Sequence, residues 1–250
     1  MPVRGGGFIQ GYNAQNVTTE DGLIIATTLT QDTTDTASFQ PMLAAAEAAA
    51  ALITARRPAA PDTTASDSGS GSEPATSDSG GEPATSTGDS GSEPAASDDP
   101  PAGYQPPNPD GTPGRYHGPI GLFLADAGYR SEASIAAPGP PRLIATGKRR
   151  DLEQAARDGT DGKNHDNPHT TAMAALLTTP QNIAAYRHRG HIAETPHGHI
   201  KHNMGFRQLT MRGKTKATAE WTFTTTVHNL FKAITTGHLT TSTLTNLAAS

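Results

Sequence analysis

The N-terminal part of the chain has a hydrophobic pattern that predicts a hairpin followed by a helix. Residues 8–17 and 23–29 are two short runs rich in strand-forming side chains, and the segment between them ends in an Asp-Gly turn signal. Residues 35–57 are mostly alanine with a few large apolar side chains and a proline in the first turn, which predicts a helix.

Two further strands are predicted in the second half of the chain. Residues 120–125 form a continuously apolar run, which is typical of a central strand buried on both faces. Residues 142–146 form another short run that ends at Gly147. Because strands and helices are interspersed along the chain, the pattern predicts a mixed α/β domain.

The C-terminal half also predicts several helices. Residues 151–157 form a short one, and a Thr-Pro pair that favours a helix start precedes a helix ending at Arg189, before Gly190. Longer helices are predicted over residues 194–209 and 217–234. The last has an apolar stripe, formed by Trp221, Phe223, Val227, Leu230, Phe231 and Ile234.

Residues 58–115 have a different composition from the rest of the chain. They contain no Val, Ile, Leu, Met, Phe or Trp, and a short Glu-Pro-Ala unit recurs imperfectly. Such a segment cannot bury enough apolar surface to offset the entropy of ordering its backbone, so we predict a disordered acidic insertion. It separates an N-terminal hairpin and helix in residues 1–57 from the remainder of the same domain in residues 116–250.

The net charge of −5 conceals an uneven distribution. Residues 58–115 hold one Lys or Arg against ten Asp or Glu, whereas residues 116–250 hold fifteen against nine, a local balance of +6. A basic segment fits a nucleic-acid partner without identifying one. The absence of cysteine excludes disulfides and thiolate metal sites, and no segment has the length and apolarity of a membrane span or signal peptide. We expect a soluble intracellular protein without a membrane partner.

Two acidic residues are the candidates for chemistry. Asp126 directly follows the apolar run, and ligands gather at the carboxyl ends of strands in open α/β sheets. Glu194 and Lys201 are seven residues apart, so a continuous helix would place them on one face. Carboxylate oxygens select Mg²⁺ or Mn²⁺, and a nearby cation can bind a phosphate. The alternatives are that Asp126 caps the next turn and that Glu194 is a solvated helix residue.

The basic and imidazole side chains of this region have competing interpretations too. Lys201 and Arg207 are either phosphate contacts or solvated helix cations, and the same choice applies to the run Lys148, Arg149 and Arg150. Zinc binding would require several histidines to converge around Glu194, and we favour surface or DNA-facing positions for them. They are His188, His191, His197, His199 and His202.

Several motifs, in the same order, resemble the landmarks of bacterial insertion-sequence DDE transposases. They are GYNAQ at residues 11–15, LADAGY at 124–129, LIATGKRR at 143–150, GHIKHN at 198–203, GFR at 205–207, AEW at 219–221 and HNL at 228–230. The resemblance implies an RNase H-like catalytic domain, with a single mixed sheet flanked by helices. Such a domain cleaves and joins DNA strands at transposon ends with Mg²⁺ or Mn²⁺. It implies a cytoplasmic, nucleoid-associated bacterial protein that binds DNA and pairs with itself or with full-length transposase.

The resemblance also assigns roles to individual residues. Asp126 matches the second acid of the family's catalytic triad and Glu194 the third, so both are expected to bind metal. The Tyr–Arg–Glu–Lys signature around the third acid is matched by Tyr186, Arg189, Glu194 and Lys201, with Arg189 one residue further from the glutamate than usual. The DNA contacts expected from the resemblance and the charge pattern are Arg189, Lys201, Arg207, Lys148, Arg149 and Arg150.

No residue of this sequence matches the family's first acid. Asp21, Asp32 and Asp35 fall at a hairpin turn or after a strand, not on the strand that carries that acid in relatives. We therefore expect a C-terminal fragment, incomplete at the N-terminus of the fold and inactive alone. The alternatives are a non-catalytic DNA-binding remnant that interferes with full-length transposase and a nuclease of the same fold without joining activity.

Overall fold

The computed structural model describes residues 11–56, 102–107, 113–160, 167–237 and 239–240. This part of the chain has a mixed α/β fold, as predicted, with helices around two small sheets. In chain order the elements are β1 Asn13–Thr18, β2 Ile24–Thr30, α1 Phe39–Arg56, β3 Phe123–Ala125, α2 Glu132–Ile135, β4 Arg142–Ile144, α3 Arg149–Arg157, α4 Pro168–Leu177, α5 Pro180–Gly198 and α6 Lys214–Thr235. Short 3₁₀ turns lie at Thr36–Ser38 and Ala127–Tyr129, and a π turn lies at His199–Asn203.

Strands β1 and β2 form the predicted hairpin. They pair antiparallel, with a bulge between Val17 and Thr18. Gly22 closes the turn with a φ of 87°, a left-handed conformation that favours glycine, and its N–H donates to the carbonyl of Thr19 at 2.9 Å. The Asp-Gly signal therefore marked the turn correctly.

Strands β3 and β4 form a second, parallel sheet, so the described residues contain two two-stranded sheets rather than the single mixed sheet that we expected. Tyr104 pairs with Arg142 on β4, through backbone hydrogen bonds of 2.8 and 3.0 Å. The predicted insertion, residues 58–115, lies mostly outside the described residues. Its described part at 102–107 packs against β4 because Tyr104 supplies a buried aromatic ring.

The two strands of the second sheet differ in burial. All three residues of β4 are buried, whereas Phe123 and Leu124 of β3 are half-buried and only Ala125 is buried. The expectation that the apolar run is buried on both faces is wrong for β3, because its residues line a cavity.

The hydrophobic core of the described residues has three clusters, and the hairpin packs against α1 in one of them and against α6 in another. Ala26 of β2 packs with Met42 and Ala46 of α1. Ile24 and Leu29 of the same strand pack with Trp221 of α6. The largest cluster joins α1, the second sheet and α5, and includes Phe39, Leu143, Ile144, Met173, Leu177, Ile183 and Tyr186.

Helix α5 is longer than predicted. It runs through Gly190 to Gly198 as one helix, so the expected break at Gly190 is wrong. A glycine inside a helix costs only about 1 kcal/mol relative to alanine, and the first half of α5 is anchored by three buried side chains, Asn182, Ile183 and Tyr186. Helix α4 was not predicted, although Asn167 caps it through two backbone N–H groups.

The helix predicted over residues 194–209 is wrong in both bounds, although residues 194–203 are helical. Pro196 lies inside α5 and has no N–H to donate, and a π turn begins three residues later at His199. Gly205, with a φ of 71°, then ends the helical segment, and the N–H of Phe206 donates back to Ile200 at 3.0 Å. Glu194 therefore lies near the end of a helix rather than at its start.

Helix α6 buries a polar face instead of the predicted apolar stripe. Its buried side chains include Trp221, Thr224, Thr225 and His228. Most of the predicted stripe faces solvent, with Phe223 exposed to 70%. Trp221 and His228 are both buried, and His228 Nε2 donates to the carbonyl of Gly22 at 3.0 Å.

Two histidines that contact α6 should make the stability of the fold sensitive to acid. Burial lowers the pKa of His197 and His199 below 6.5, with smaller contributions from neighbouring His228 and from Lys201 or Lys232. The unfolded chain therefore binds more protons than the folded protein once the pH falls below about 6.5. We expect the melting temperature to fall as the pH is lowered through that value towards the depressed folded-state pKa.

Thermal melts at neutral and acidic pH measure this effect. His199→Gln should show a smaller pH dependence than the unsubstituted protein, whereas His191→Gln, at an exposed position, should match it. An unchanged pH dependence in both His199→Gln and His197→Gln would contradict this explanation.

Candidate active site

Asp126 lies at the carboxyl end of β3, in the first position after the strand. Its Oδ1 accepts from the N–H of Gly128 at 2.8 Å and caps the short turn that follows. The alternative reading of Asp126 as a capping residue is therefore correct in geometry, and it leaves Oδ2 for another partner. The hydroxyl of Tyr186 donates to the carbonyl of Ala125 at 2.9 Å and so fixes the end of the strand.

Asp35 lies beside Asp126, which the sequence did not predict. Its Oδ1 accepts from the side-chain amides of Asn13 at 2.6 Å and Gln15 at 2.7 Å, both on β1. A Cβ placed on Gly128 would lie 2.6 Å from Asp35 Oδ2 and 3.0 Å from Asp126 Oδ1. The two carboxylates therefore flank the same small space above Gly128.

The pKa of Tyr129 is affected by the negative charges of Asp35 and Asp126. Burial raises the pKa of the Tyr129 hydroxyl to about 12, and the negative charges of Asp35 and Asp126 add to that rise. Its ring packs against Phe39 with centroids 6.1 Å apart. The hydroxyl therefore stays neutral beside the two acids at physiological pH.

Glu194 faces the same cavity from α5. A cavity of about 740 Å³ is lined by Asp35, Asp126, Arg189 and Glu194 among others. A smaller one of about 360 Å³ is lined by Asp126, Arg189 and Glu194 together with Gly128. The structure thus brings the two predicted acids to the walls of shared cavities, and their role as metal ligands stays a prediction.

Arg189 is the predicted basic residue that the structure brings to these acids. It lines both cavities, and its Cζ lies 5.5 Å from the ring centre of Tyr186. Its Nε is buried and donates to no described residue. Arg189 and Glu194 both lie on helix α5 and line the same cavities, despite the extra residue between them.

The other predicted basic residues lie away from the cavities. Lys148, Arg150, Lys201 and Arg207 are exposed, and none of them lines either cavity. The side chain of Arg149 lies outside the described residues. Because a π turn replaces the α-helix from His199 onwards, the argument that Glu194 and Lys201 share a helical face does not hold.

The histidines around Glu194 have separate packing roles. His197 stacks on Trp221 with ring centroids 5.9 Å apart, and His199 Nδ1 lies 3.0 Å from His228 Nδ1. His188 lines the larger cavity. Within the described residues, no three His, Cys, Asp or Glu side chains are arranged as a metal-binding group.

The donor set nevertheless suits a hard divalent cation. Mg²⁺ is commonly held by one or two carboxylates, with water and substrate phosphates completing its coordination. Asp35 and Asp126 offer carboxylate oxygens on either side of a space that a Cβ would fill, and Glu194 lines the same cavity. Asp35 and Asp126 could therefore hold such an ion.

About a third of the chain matches a known protein-family model. Residues 154–234 match the family model described as the transposase DDE domain. The match runs from α3 into α6 and includes Glu194, and it supports a DDE transposase. No curated protein and no solved structure was found to match the chain. Among the described helices, none has the length and apolarity needed to cross a membrane.

Proposed function

We propose that this chain carries the catalytic site of an insertion-sequence DDE transposase of bacterial origin, with an RNase H-like arrangement. The match of residues 154–234 to the transposase DDE domain carries the proposal. The shared cavity of Asp126 and Glu194 supports it, because the two acids assigned by the resemblance come from distant parts of the chain. The substrate is DNA at transposon ends.

Asp126 and Glu194 are the proposed metal ligands. When bound, Mg²⁺ or Mn²⁺ supplies charge stabilisation for the attacking and leaving oxygens of a phosphodiester. Arg189 reaches the same cavities and would hold a DNA phosphate beside the acids. Tyr186 positions Asp126 through the carbonyl of Ala125.

This chain alone is proposed to bind DNA without cutting it. Two acids match the family's triad, and two carboxylates hold a pair of metal ions less well than three. The assay is incubation of the purified chain with terminal inverted-repeat DNA and Mn²⁺, followed by analysis of nicked and joined products. We expect DNA binding and no cleavage.

The other outcomes of that assay separate the alternatives. Cleavage that disappears in Asp126→Asn and Glu194→Gln would overturn the proposal that the chain alone is inactive. It would support Asp126 and Glu194 as the catalytic site. Cleavage that survives both substitutions would overturn the site itself, and cleavage without joined products would favour a nuclease. Loss of all DNA binding would overturn the transposase function.

DNA binding should depend on the exposed basic residues outside the cavities. Each phosphate contact contributes about 0.9 to the slope of log affinity against log salt concentration on duplex DNA. Removing Lys201 and Arg207 together should therefore reduce that slope by about 2 units. Fluorescence anisotropy over a salt series measures the slope.

Arg56→Ala is the control for this experiment, because Arg56 is an exposed cation at the end of α1. It should leave the slope unchanged. An equal reduction in the control would show that net charge, rather than a defined DNA path, governs binding. Salt-dependent binding with no metal effect on any readout would favour the non-catalytic DNA-binding remnant.

A further inference from the structure

We propose that Asp35 binds a divalent cation together with Asp126, as a carboxylate ligand that the family resemblance did not assign. The proposal deepens the proposed function and rests on it for the identity of the substrate, but cation binding itself can be measured without DNA. A single ion bound at Asp126 does not replace the pair of metal ions that strand cleavage uses, so the inference leaves the proposed inactivity of the chain alone unchanged.

The orientation of Asp35 is the first argument. Asp35 occupies the position before the turn Thr36–Ser38, where an aspartate commonly caps backbone N–H groups, yet its side chain makes no such bond. Instead, Asn13 and Gln15 both donate to Oδ1. Two amides on a paired strand therefore hold the carboxylate in one orientation, with Oδ2 towards Gly128.

The space at Gly128 is the second argument. The φ of Gly128 lies outside the left-handed region, so its backbone conformation does not require glycine. The position is restricted by space instead, because a Cβ there would come within 2.6 Å of Asp35 Oδ2 and 3.0 Å of Asp126 Oδ1. The missing side chain leaves a gap bordered by oxygen atoms of two acids.

Gln15 provides an independent indication of a ligand. The residue is only 4% exposed, and it lines the same cavity as the two acids. Its Nε2 is used on Asp35, while its Oε1 is buried and accepts no hydrogen bond from any described residue. A buried acceptor without a partner costs about 1–3 kcal/mol. A hydrated cation between the acids would supply the missing partner.

The charge of the site points the same way. Asp35 and Asp126 are both half-buried, and neither forms an ion pair with a basic side chain in the described part of the chain. Two carboxylates so close repel one another unless a cation lies between them. Mg²⁺ suits this arrangement because it retains several waters and needs only one or two protein carboxylates.

Mn²⁺ binding in the absence of DNA tests the proposal. Electron paramagnetic resonance of free Mn²⁺ gives the dissociation constant for the whole chain. Asp35→Asn should weaken binding about tenfold or more, and Asp126→Asn should do the same. Asp32→Asn, an exposed aspartate of the same loop, is the matched control and should bind like the unsubstituted protein.

Tb³⁺ luminescence locates the ion. Tyr129 lies beside both acids and should sensitise the emission of Tb³⁺ bound between them. Tyr129→Phe should remove most of that emission and leave the Mn²⁺ affinity unchanged. Emission that survives Tyr129→Phe would place the ion elsewhere and overturn the proposal.

The remaining outcomes are also decisive. Mn²⁺ binding that is normal in Asp35→Asn but lost in Asp126→Asn would overturn the role of Asp35 and leave the proposed function intact. Absence of Mn²⁺ binding in the unsubstituted chain would overturn this inference, while the DNA-binding assay would judge the proposed function separately. If Asp35→Asn does not fold, Gly128→Ala decides, because its Cβ fills the gap without removing either acid. Normal Mn²⁺ binding in that folded variant would overturn the proposal.

Discussion

Phe39→Ala is expected to lower the free energy of unfolding by about 3–5 kcal/mol. The ring is 1% exposed and packs edge-on against Phe123, with centroids 5.8 Å apart, and against Tyr129 at 6.1 Å. Its removal loses both the transfer free energy of the ring and the contacts around the resulting void. Urea denaturation followed by circular dichroism measures the change.

The matched control for this prediction is Phe223→Ala, since Phe223 is 70% exposed on α6. It should change the stability by less than about 0.5 kcal/mol. A loss below about 1 kcal/mol in Phe39→Ala would contradict the contribution of this ring to the core. Phe39 begins α1 just after Asp35, so the variant should also weaken Mn²⁺ binding.

Arg142→Met is expected to cost about 2–4 kcal/mol, because it leaves two buried carbonyls without donors. Arg142 is fully buried on β4, and its guanidinium donates to the carbonyls of Pro140 at 3.2 Å and Ser134 at 3.0 Å. Burial lowers the pKa of Arg142 to about 10, and neighbouring Glu47 partly offsets that effect. Methionine keeps most of the apolar stem, so the cost reports chiefly the lost hydrogen bonds.

Urea denaturation also measures this effect, with Arg157→Met as the control at an exposed arginine on α3. The control should be nearly neutral. Equal stabilities of Arg142→Met and the unsubstituted protein would show that the desolvation of the cation cancels its hydrogen bonds. Because the guanidinium lies 5.8 Å from the Phe39 ring, the costs of Phe39→Ala and Arg142→Met should not add in the double variant.

The candidate site was predictable only where local sequence fixes the geometry. Asp126 follows a short apolar run, and that pattern alone placed it at the end of a strand. Asp35 follows a strand in a loop, and the residues next to it in sequence do not indicate that it lies beside Asp126. The one available signal was the polar pair Asn13 and Gln15 on one side of β1, whose amides require acceptors in a half-buried position.

In the helical region around Glu194, the local sequence predicted the wrong structure. Gly190 and Pro196 are both helix-breaking residues, and reading them locally divided one helix into two. Packing overrides a local preference of a few kcal/mol when buried side chains hold the helix in place. The π turn that follows cannot be read from periodicity, and it separates Lys201 from the face expected for it.

The sequence by itself determined the α/β class, the hairpin with its Asp-Gly turn, the strand end at Asp126 and the acids assigned by the resemblance. These features depend on short-range patterns, because side-chain alternation and turn geometry are set within a few residues. The tertiary structure alone decided that Asp35 stands beside Asp126, that α5 is continuous and that α6 exposes its apolar stripe. Those results depend on contacts between residues far apart in the chain. The free energy of these contacts exceeds the local conformational preferences, and such contacts produce no periodic pattern in the sequence.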